Sequence, residues 1–219
     1  YHNPVIRIAA PDPTAMRAKD GYFYLYATED IRNLPIFRSR DMVKWEEIGT
    51  AFTDETRPDF LPDNKDVKER AHLWAPEIRY VKGKYVLFYS LAQWGNHWVS
   101  TVGYAVSDSP EGPFTPKGKV FDSREVNVEN SIDQYFYEED GKYYMLWGSF
   151  FGIYIMELAT LTKESTCGNA TGTTTSSALS ALVAKDRKAP TPQLWRVRKT
   201  FSARMSINRE DKCWITSMK

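Results

Sequence analysis

The chain has 219 residues, 42% of them hydrophobic and 26% charged, with a formal net charge of +1. This is the balance of an ordinary globular protein with one large domain or two small ones. No run approaches the roughly 18 apolar residues of a membrane-spanning helix, and no signal peptide is recognisable after Tyr1, so we predict no membrane partner and leave the cellular location open.

Two different compositions meet near residue 160. Residues 160–219 hold 11 Lys and Arg against 4 Asp and Glu, whereas residues 1–159 hold 18 against 24. All 13 Tyr residues lie at or before Tyr154, and both Cys residues, Cys167 and Cys213, lie after it. A basic segment of this kind is typical of a solvated or nucleic-acid-binding arm. We predict a first domain over residues 1–158 and a tail of different origin over residues 159–219.

Three hairpin signals follow one another along the first domain. Each is a glycine preceded by Asp or Lys and followed by a run of aromatic and β-branched residues. The turn glycines Gly21, Gly83 and Gly141 are 62 and 58 residues apart. The predicted strands are residues 14–17, 77–80 and 134–137 before the turns, with later strands at 36–38 and 103–107.

The repeat predicts an all-β fold. No stretch keeps a helical period over three turns, and several short strands recur in units of about 60 residues, as in the blades of a β-propeller. The unit is longer than the roughly 40–50 residues of common propeller blades, which predicts inserted loops. A β-sandwich is the structural alternative, although a sandwich would not need the repeat.

Acidic residues stand just before the innermost strand of each unit. They are Asp12 between two prolines, Glu77 in Trp74-Ala75-Pro76-Glu77, and Asp133 after Ser131-Ile132. Pro11-Asp12-Pro13 by itself is typical of a turn. In a propeller, however, these strand entrances converge at one end of the central channel. Like charges gathered there raise pKa values and make general acid–base chemistry possible.

Several motifs together resemble glycoside hydrolase family 43. They cover residues 3–157 in order, and they favour the arabinan-degrading members. They are Asn3-Pro4-Val5, Ala10-Pro11-Asp12-Pro13-Thr14, the run from Asp20 to Thr28, the run from Phe37 to Glu46, Trp74-Ala75-Pro76-Glu77-Ile78 and the run from Ser107 to Phe114. The resemblance implies a five-bladed β-propeller, of which about three blades are recognisable in this chain.

The resemblance also implies an inverting mechanism with three acidic groups. Asp12 would be the general base that activates water, and Asp133 would tune the pKa of the general acid and orient it. The acid in the family is a Glu at the start of the fourth blade, usually followed by Gly-Pro. Many relatives have Pro after the Asp133 position, where this chain has Gln134. Glu111-Gly112-Pro113 resembles the acid motif, but it belongs to a blade-edge turn that we expect to face solvent.

The expected substrate-binding residues are Trp74, Ala75, Glu77 and Ser149. A sugar packs the C–H face of its ring on an aromatic side chain, which makes Trp74 and Trp94 candidate platforms; ordinary core or rim positions are the alternative for both. His72 and His97 are predicted to be structural, since no ligand-spaced cluster accompanies them and no metal site is predicted. No cofactor is expected, although some relatives hold a calcium ion on the channel axis through fifth-blade residues.

The tail does not continue the family pattern. Residues 168–177 read as a linker or glycosylated stalk. A shifted reading frame, in contrast, permits an ordered series of fourth- and fifth-blade strings, including a Glu-Gly over residues 162–164. We therefore predict that residues 159–219 are a frame-shifted, non-native segment, accompanied by a deletion. The chain would then lack the general acid.

The sequence predicts a monomeric glycosidase acting on O-glycosidic bonds of arabinose- or xylose-containing plant polysaccharides, with an oligo- or polysaccharide as its partner. It would resemble an arabinan endo-1,5-α-L-arabinosidase or a β-xylosidase/α-L-arabinofuranosidase, and the intact parent would suit a secreted or periplasmic location. This chain, without its acid, would be inactive on polysaccharide. A carbohydrate-binding propeller without catalysis is the alternative. A propeller scaffold whose tail contacts nucleic acid leaves the carboxylates unexplained, so no nucleic-acid partner is predicted.

Overall fold

Three antiparallel sheets follow one another in the computed structural model, which describes residues 1–60 and 71–158. In each sheet the strands are hydrogen-bonded in chain order. Blade 1 consists of β1 (Thr14–Arg17), β2 (Phe23–Tyr26), β3 (Pro35–Ser39) and β4 (Trp45–Thr50). Blade 2 consists of β5 (His72–Val81), β6 (Lys84–Ala92), β7 (Thr101–Ser107) and β8 (Thr115–Asp122). Blade 3 consists of β9 (Tyr135–Glu139), β10 (Lys142–Trp147) and β11 (Tyr154–Leu158).

The predicted hairpin turns are confirmed. Lys82 and Gly83 join β5 to β6 with φ values of 48° and 87°, and Asp140 and Gly141 join β9 to β10 with 51° and 73°. Two consecutive residues with positive φ define a type I′ turn, whose twist matches that of the strands it connects. The turn around Gly21 is longer, since Arg17 is the partner of Phe23.

The predicted strands are also present, and the bounds of β1 are as predicted, whereas those of β3, β5, β7 and β9 differ by one to five residues. β5 begins at His72, earlier than the predicted start at residue 77, because residues 72–74 also pair with β6. An irregularity then interrupts the pairing between Trp74 and Glu77. Pro76 lies in this bulge, where its missing N–H costs no ladder hydrogen bond. β9 begins at Tyr135, one residue later than predicted. A 3₁₀ helix (His97–Val99) lies between β6 and β7 of blade 2. A short helix, α1 (Ser123–Val126), follows β8.

The sheets stack in series, which distinguishes the fold from a two-sheet sandwich. All nine residues of β6 except Lys84 are buried. Because side chains alternate across a strand, Leu87 and Tyr89 enter the core shared with blade 1, whereas Phe88 enters the core shared with blade 3. The middle sheet is therefore covered on both faces, and its strands read as a continuous apolar run.

The innermost strands lie side by side. β1 contacts β5, and β5 contacts β9. Phe88 of β6 stacks on Phe136 of β9 with ring centroids 5.3 Å apart, which ties blade 2 to blade 3. This arrangement, three radially packed meanders with adjacent inner strands, is that of propeller blades, and the predicted all-β propeller class is confirmed.

Candidate active site

One end of the three blades gathers the predicted site residues. β1, β5 and β9 begin at this end, and because every pairing is antiparallel, the second strand of each blade finishes there. The segments that leave those second strands, residues 27–34, 93–100 and 148–153, therefore lie on the same face. The topology thus brings Thr28, Trp94 and Ser149 to the end where the inner strands start.

One residue with positive φ marks the entrance of each blade. Asp12 has φ 48°, Ala75 has φ 43° and Asp133 has φ 58°. A non-glycine residue in this region costs about 1–3 kcal/mol and persists only where its surroundings hold it there, and such residues concentrate at functional sites. The structural equivalent of Asp12 and Asp133 in blade 2 is thus Ala75 and not Glu77. The expectation of a carboxylate at the same position in all three units is wrong, because Glu77 lies inside β5, where it is paired with Phe88.

Thr28 links the entrance of blade 1 to that of blade 2 through hydrogen bonds. Its hydroxyl donates to Asp12 Oδ2 over 2.7 Å and accepts from the Ala75 N–H over 2.7 Å. Its own N–H donates to the Pro11 carbonyl over 2.9 Å. A hydroxyl is both donor and acceptor, so a single side chain can orient the Asp12 carboxylate and satisfy the backbone of Ala75.

Ser90 and Gln134 perform the corresponding role between blades 2 and 3. Ser90 is fully buried, accepts from the Asp133 N–H over 3.2 Å and donates to Gln134 Oε1 over 2.6 Å. The Gln134 amide nitrogen donates to the Ala75 carbonyl over 2.5 Å. The glutamine that departs from the family pattern therefore links the entrances of two blades.

Asp133 lies in surroundings that raise its pKa. Desolvation by the surrounding protein raises its pKa, a hydrogen bond from Ser149 opposes this, and the negative charge of Asp12 raises the pKa further. Both carboxylates remain exposed to solvent. The two predicted catalytic residues are thus close enough to interact electrostatically at an open face, with Ser149 beside them.

Glu77 lies below this face and joins the three inner strands. It is only 7% exposed. Its Oε2 accepts from the Thr14 hydroxyl of β1 over 3.1 Å, and its Oε1 lies 2.5 Å from Arg79 Nη2. The N–H of Phe136 in β9 also donates to it, while burial, the largest influence, raises its pKa. These contacts give Glu77 a structural role between the strands, and its predicted role in substrate binding stays a prediction.

Trp74 and Trp94 form a pair of rings at the same face. Their centroids are 5.6 Å apart and their planes are inclined by 54°. Trp74 is partly buried, whereas Trp94 is 80% exposed. Both predicted aromatic platforms are therefore adjacent, and Trp94 is on the outside.

Glu111, the rejected candidate for the acid, lies elsewhere. Glu111 follows β7 at the opposite end of blade 2 and pairs with Arg38 over 2.5 Å, consistent with an outer turn. His72 Nδ1 lies 3.4 Å from Glu29, and His97 Nδ1 lies 3.7 Å from Glu129. Residues 1–60 and 71–158 contain no group of three His, Cys, Asp or Glu side chains that could hold a metal ion. No helix within these ranges is long and apolar enough to cross a membrane.

The partners that organise the site were not predicted from the sequence. Thr28 and Ser90 stand in ordinary strand-end positions, and Gln134 was noted only as a departure from a pattern. A partial signal exists, since Thr28 and Ser90 are small hydroxyl residues near the ends of otherwise aromatic strands. The predicted tail, residues 159–219, lies outside the described residues, and the tail and its boundary after residue 158 remain predictions.

Comparison with known proteins identifies the family. The sequence pattern of glycosyl hydrolases family 43 matches residues 1–187. The chain belongs to family 43. Its structure resembles that of the Cellvibrio cellulosa α-L-arabinanase with a TM-score of 0.60, at 30% identity over 70% of this chain and 49% of that one. The same arabinanase has been solved in complex with arabinohexaose.

Curated relatives of this family 43 chain differ in their substrates. The extracellular endo-α-(1→5)-L-arabinanase of Thermotoga petrophila is 30% identical, over 67% of this chain and 35% of that protein. A xylan 1,3-β-xylosidase of a Vibrio species is 31% identical, over 71% and 29%. The chain thus spans about a third of each of these relatives. The structural neighbours are five-bladed propellers, and the described blades match part of them.

Proposed function

We propose that this family 43 chain derives from an inverting glycosidase of arabinose- or xylose-containing polysaccharides, with Asp12 as general base and Asp133 as modulator of the acid. The observation that carries the proposal is the pairing of Asp12 and Asp133 at equivalent left-handed positions of one face, close enough to interact. The relatives act on arabinan and xylan, which supports the substrate class.

The contacts of Asp12 suit a base. Thr28 occupies Oδ2, and Oδ1 accepts no hydrogen bond that we find in the described part of the chain. A water at Oδ1 would lose a proton to the carboxylate as its oxygen attacks the anomeric carbon from the face opposite the leaving group. The glycosidic bond then breaks and the configuration inverts. Inverting enzymes leave room for this water by holding acid and base roughly 6.5–9.5 Å apart.

The departing sugar oxygen needs a proton, which in the family comes from a glutamic acid in the fourth blade. The described blades offer no candidate beside Asp12 and Asp133, since Glu77 is buried and paired. We therefore propose that the 219-residue chain binds substrate and activates water but turns over polysaccharide poorly. A leaving group of low pKa is stable as an anion, so it can depart without a proton from a general acid.

The test is to compare two substrates with the chain as it exists. Dinitrophenyl α-L-arabinofuranoside has a leaving group of low pKa, and debranched arabinan does not. We expect measurable release of dinitrophenolate and little release of reducing sugar from arabinan. Asp12→Asn should lower the aryl glycoside rate by about a hundredfold or more, the usual contribution of a general base. Proton NMR should show the inverted anomer as the first product.

The matched control is Asp108→Asn, which removes an exposed carboxylate paired with Lys84 on an outer hairpin. Its rate should equal that of the unmodified chain. An unchanged rate in Asp12→Asn would refute the role of Asp12. Efficient hydrolysis of arabinan would refute the absence of the acid.

A non-catalytic carbohydrate-binding propeller is the second candidate. It is favoured by the exposed Trp94 beside Trp74 together with the lack of an acid in the described blades. This candidate predicts saturable binding of arabino- or xylo-oligosaccharides with no turnover of the aryl glycoside. If the tail is frame-shifted as predicted, restoring the frame would then restore no hydrolysis.

A further inference from the structure

A buried ion pair lies next to the residue that organises the entrance of the site. Glu29 follows Thr28 in the loop after β2, and its side chain is 2% exposed, while that of Arg57 is 12% exposed. The two groups are bidentate, since Arg57 Nη1 donates to Glu29 Oε2 over 2.6 Å and Nη2 donates to Oε1. The proposed mechanism uses neither residue. A buried pair of charges is often no more stable than apolar side chains of similar size, which directs attention to what the pair positions.

The Glu29 carboxylate also binds the backbone of blade 2. Its Oε1 accepts from the Leu73 N–H over 2.8 Å, and the N–H of Glu29 donates to the Leu73 carbonyl over 3.0 Å. Its Oε2 accepts from the Asn33 N–H over 2.8 Å. Burial, the largest single influence, raises the pKa of Glu29, but the hydrogen bonds from Arg57 and from these two N–H groups outweigh it and lower the pKa. The carboxylate is therefore charged at neutral pH and held from several sides.

Arg57 adds a second link between the two blades. Its Nη1 also donates to Asn33 Oδ1 over 2.8 Å, and its Nη2 also donates to the Ala71 carbonyl over 3.3 Å. Each terminal nitrogen thus donates to two acceptors, one of which belongs to the Glu29 carboxylate. A planar guanidinium can hold these acceptors at the same time because its N–H groups form a rigid fork, whereas a lysine has no such fork.

The ion pair and the site share two successive residues. Thr28 accepts from the Ala75 N–H, and Glu29 accepts from the Leu73 N–H, so neighbours in blade 1 bind alternate residues of β5. Ala75 lies where the pairing of β5 with β6 is interrupted, and its N–H donates to Thr28. The same hydroxyl donates to Asp12 Oδ2 over 2.7 Å. A shift of Glu29 relative to β5 would therefore displace the donor that orients the Asp12 carboxylate.

We propose that Glu29 and Arg57 are positioning residues for the proposed hydrolysis. Their ion pair fixes Thr28 against β5, and Thr28 in turn orients the Asp12 carboxylate and holds the backbone of Ala75. This inference rests on the proposed function and adds two residues that act on the base through a third. A pair that only stabilises the fold is the competing explanation.

The first test measures the link without using activity. Glu29→Gln removes the charge and keeps the shape, and Arg57→Lys keeps the charge and removes the fork. Exchange of single amide protons is followed by NMR in the chain as it exists. We expect the Ala75 N–H to exchange about tenfold faster or more in both variants, because its acceptor is Thr28 and local opening sets the rate. The N–H of Leu87, in the middle of β6, should change less than about twofold.

The second test uses the aryl glycoside. For dinitrophenyl α-L-arabinofuranoside we expect kcat to fall about tenfold in both variants with KM within about twofold, since a misplaced base weakens the transition state and leaves binding intact. Adding Glu29→Gln to Thr28→Val should cost less than about a further twofold, because the link through the hydroxyl is already broken. If Glu29→Gln does not fold, Arg57→Lys, which keeps both charges, supplies the same comparisons.

The matched control is Arg32→Gln. Arg32 lies in the same loop and pairs with Asp54 over 2.6 Å, but its side chain is 62% exposed. This variant should match the unmodified chain in both tests.

Three results would overturn the inference. They are unchanged Ala75 exchange in Glu29→Gln and Arg57→Lys, an equal acceleration at Leu87, and a full additional loss of rate in the Thr28→Val background. The equal acceleration would show that the pair only stabilises the fold. An unmodified chain that releases no dinitrophenolate would instead refute the proposed function, and amide exchange would still decide whether the pair positions Thr28.

Discussion

Replacing Glu77 by alanine tests whether one buried carboxylate holds the three inner strands in register at the site. The side chain is 7% exposed and contacts β1 through the Thr14 hydroxyl and β9 through the Phe136 N–H. Within β5 it pairs with Arg79, whose side chain is 34% exposed. Alanine removes all three contacts and leaves a cavity where the blades meet.

The expected loss follows from these contacts. The Thr14 hydroxyl and the Phe136 N–H would each lose an acceptor in a buried place, at about 1–3 kcal/mol each, and the lost methylene burial adds about 1–2 kcal/mol. Arg79 can turn toward water, so its lost pairing adds little. Relief of the desolvated charge offsets part of this, and we expect Glu77→Ala to lower the free energy of unfolding by about 3 kcal/mol. Glu77→Gln keeps an acceptor oxygen and should lose about 1 kcal/mol or less.

The pH dependence gives a second readout. Because burial raises the pKa of Glu77, the folded protein binds a proton at this site more tightly than the unfolded chain does. The favourable contribution is complete below the unfolded-state pKa and disappears as the pH rises through the raised folded-state value. Glu77→Gln does not titrate, so its stability relative to the unmodified chain should improve as the pH rises from about 4 toward neutrality.

The assay is guanidinium-induced unfolding followed by tryptophan fluorescence at several pH values. Glu46→Ala serves as the control, since Glu46 is an exposed partner of Arg38 and should contribute less than about 0.5 kcal/mol. The reasoning is refuted if Glu77→Ala is as stable as the control. It is also refuted if Glu77→Gln is as damaging as alanine.

Three further outcomes are expected. Thr28→Val should lower stability by about 1 kcal/mol and slow the aryl glycoside reaction, because Asp12 loses its donor; an unchanged rate would show that the hydroxyl does not orient the base. Gly103→Ala should lower the thermal unfolding temperature, since the added Cβ would lie 2.7 Å from a Tyr89 ring carbon; an unchanged temperature would mean that the ring moves freely. Sequencing the DNA across codons 155–219 should reveal a missing or added base near codon 160, and an intact frame would favour the binding-protein candidate.

The repeated hairpins could be predicted from the sequence because their requirements are local. A type I′ turn needs two residues that tolerate positive φ, and Lys82-Gly83 and Asp140-Gly141 satisfy this within a stretch of four residues. The continuous apolar run of β6 likewise matches a strand that is buried on both faces. Asp12 and Asp133 were located by motif, and the structure brings these two together at one face, while their catalytic roles stay predictions.

Other features of the site depended on distant partners. Ala75, and not Glu77, occupies the position equivalent to the two aspartates, since it is Ala75 that has the positive φ at the entrance of blade 2, beside the irregular pairing of β5. Thr28 reaches Asp12 across 16 positions and Ala75 across 47, and Gln134 reaches Ala75 across 59. Whether a residue lies in a turn or a strand depends mostly on its neighbours in the sequence, and this local information was enough to predict the strands and turns of the three blades. The hydrogen-bonded entrance of the site arises only when blades packed through their apolar faces bring these polar groups together, so only the tertiary structure decided it.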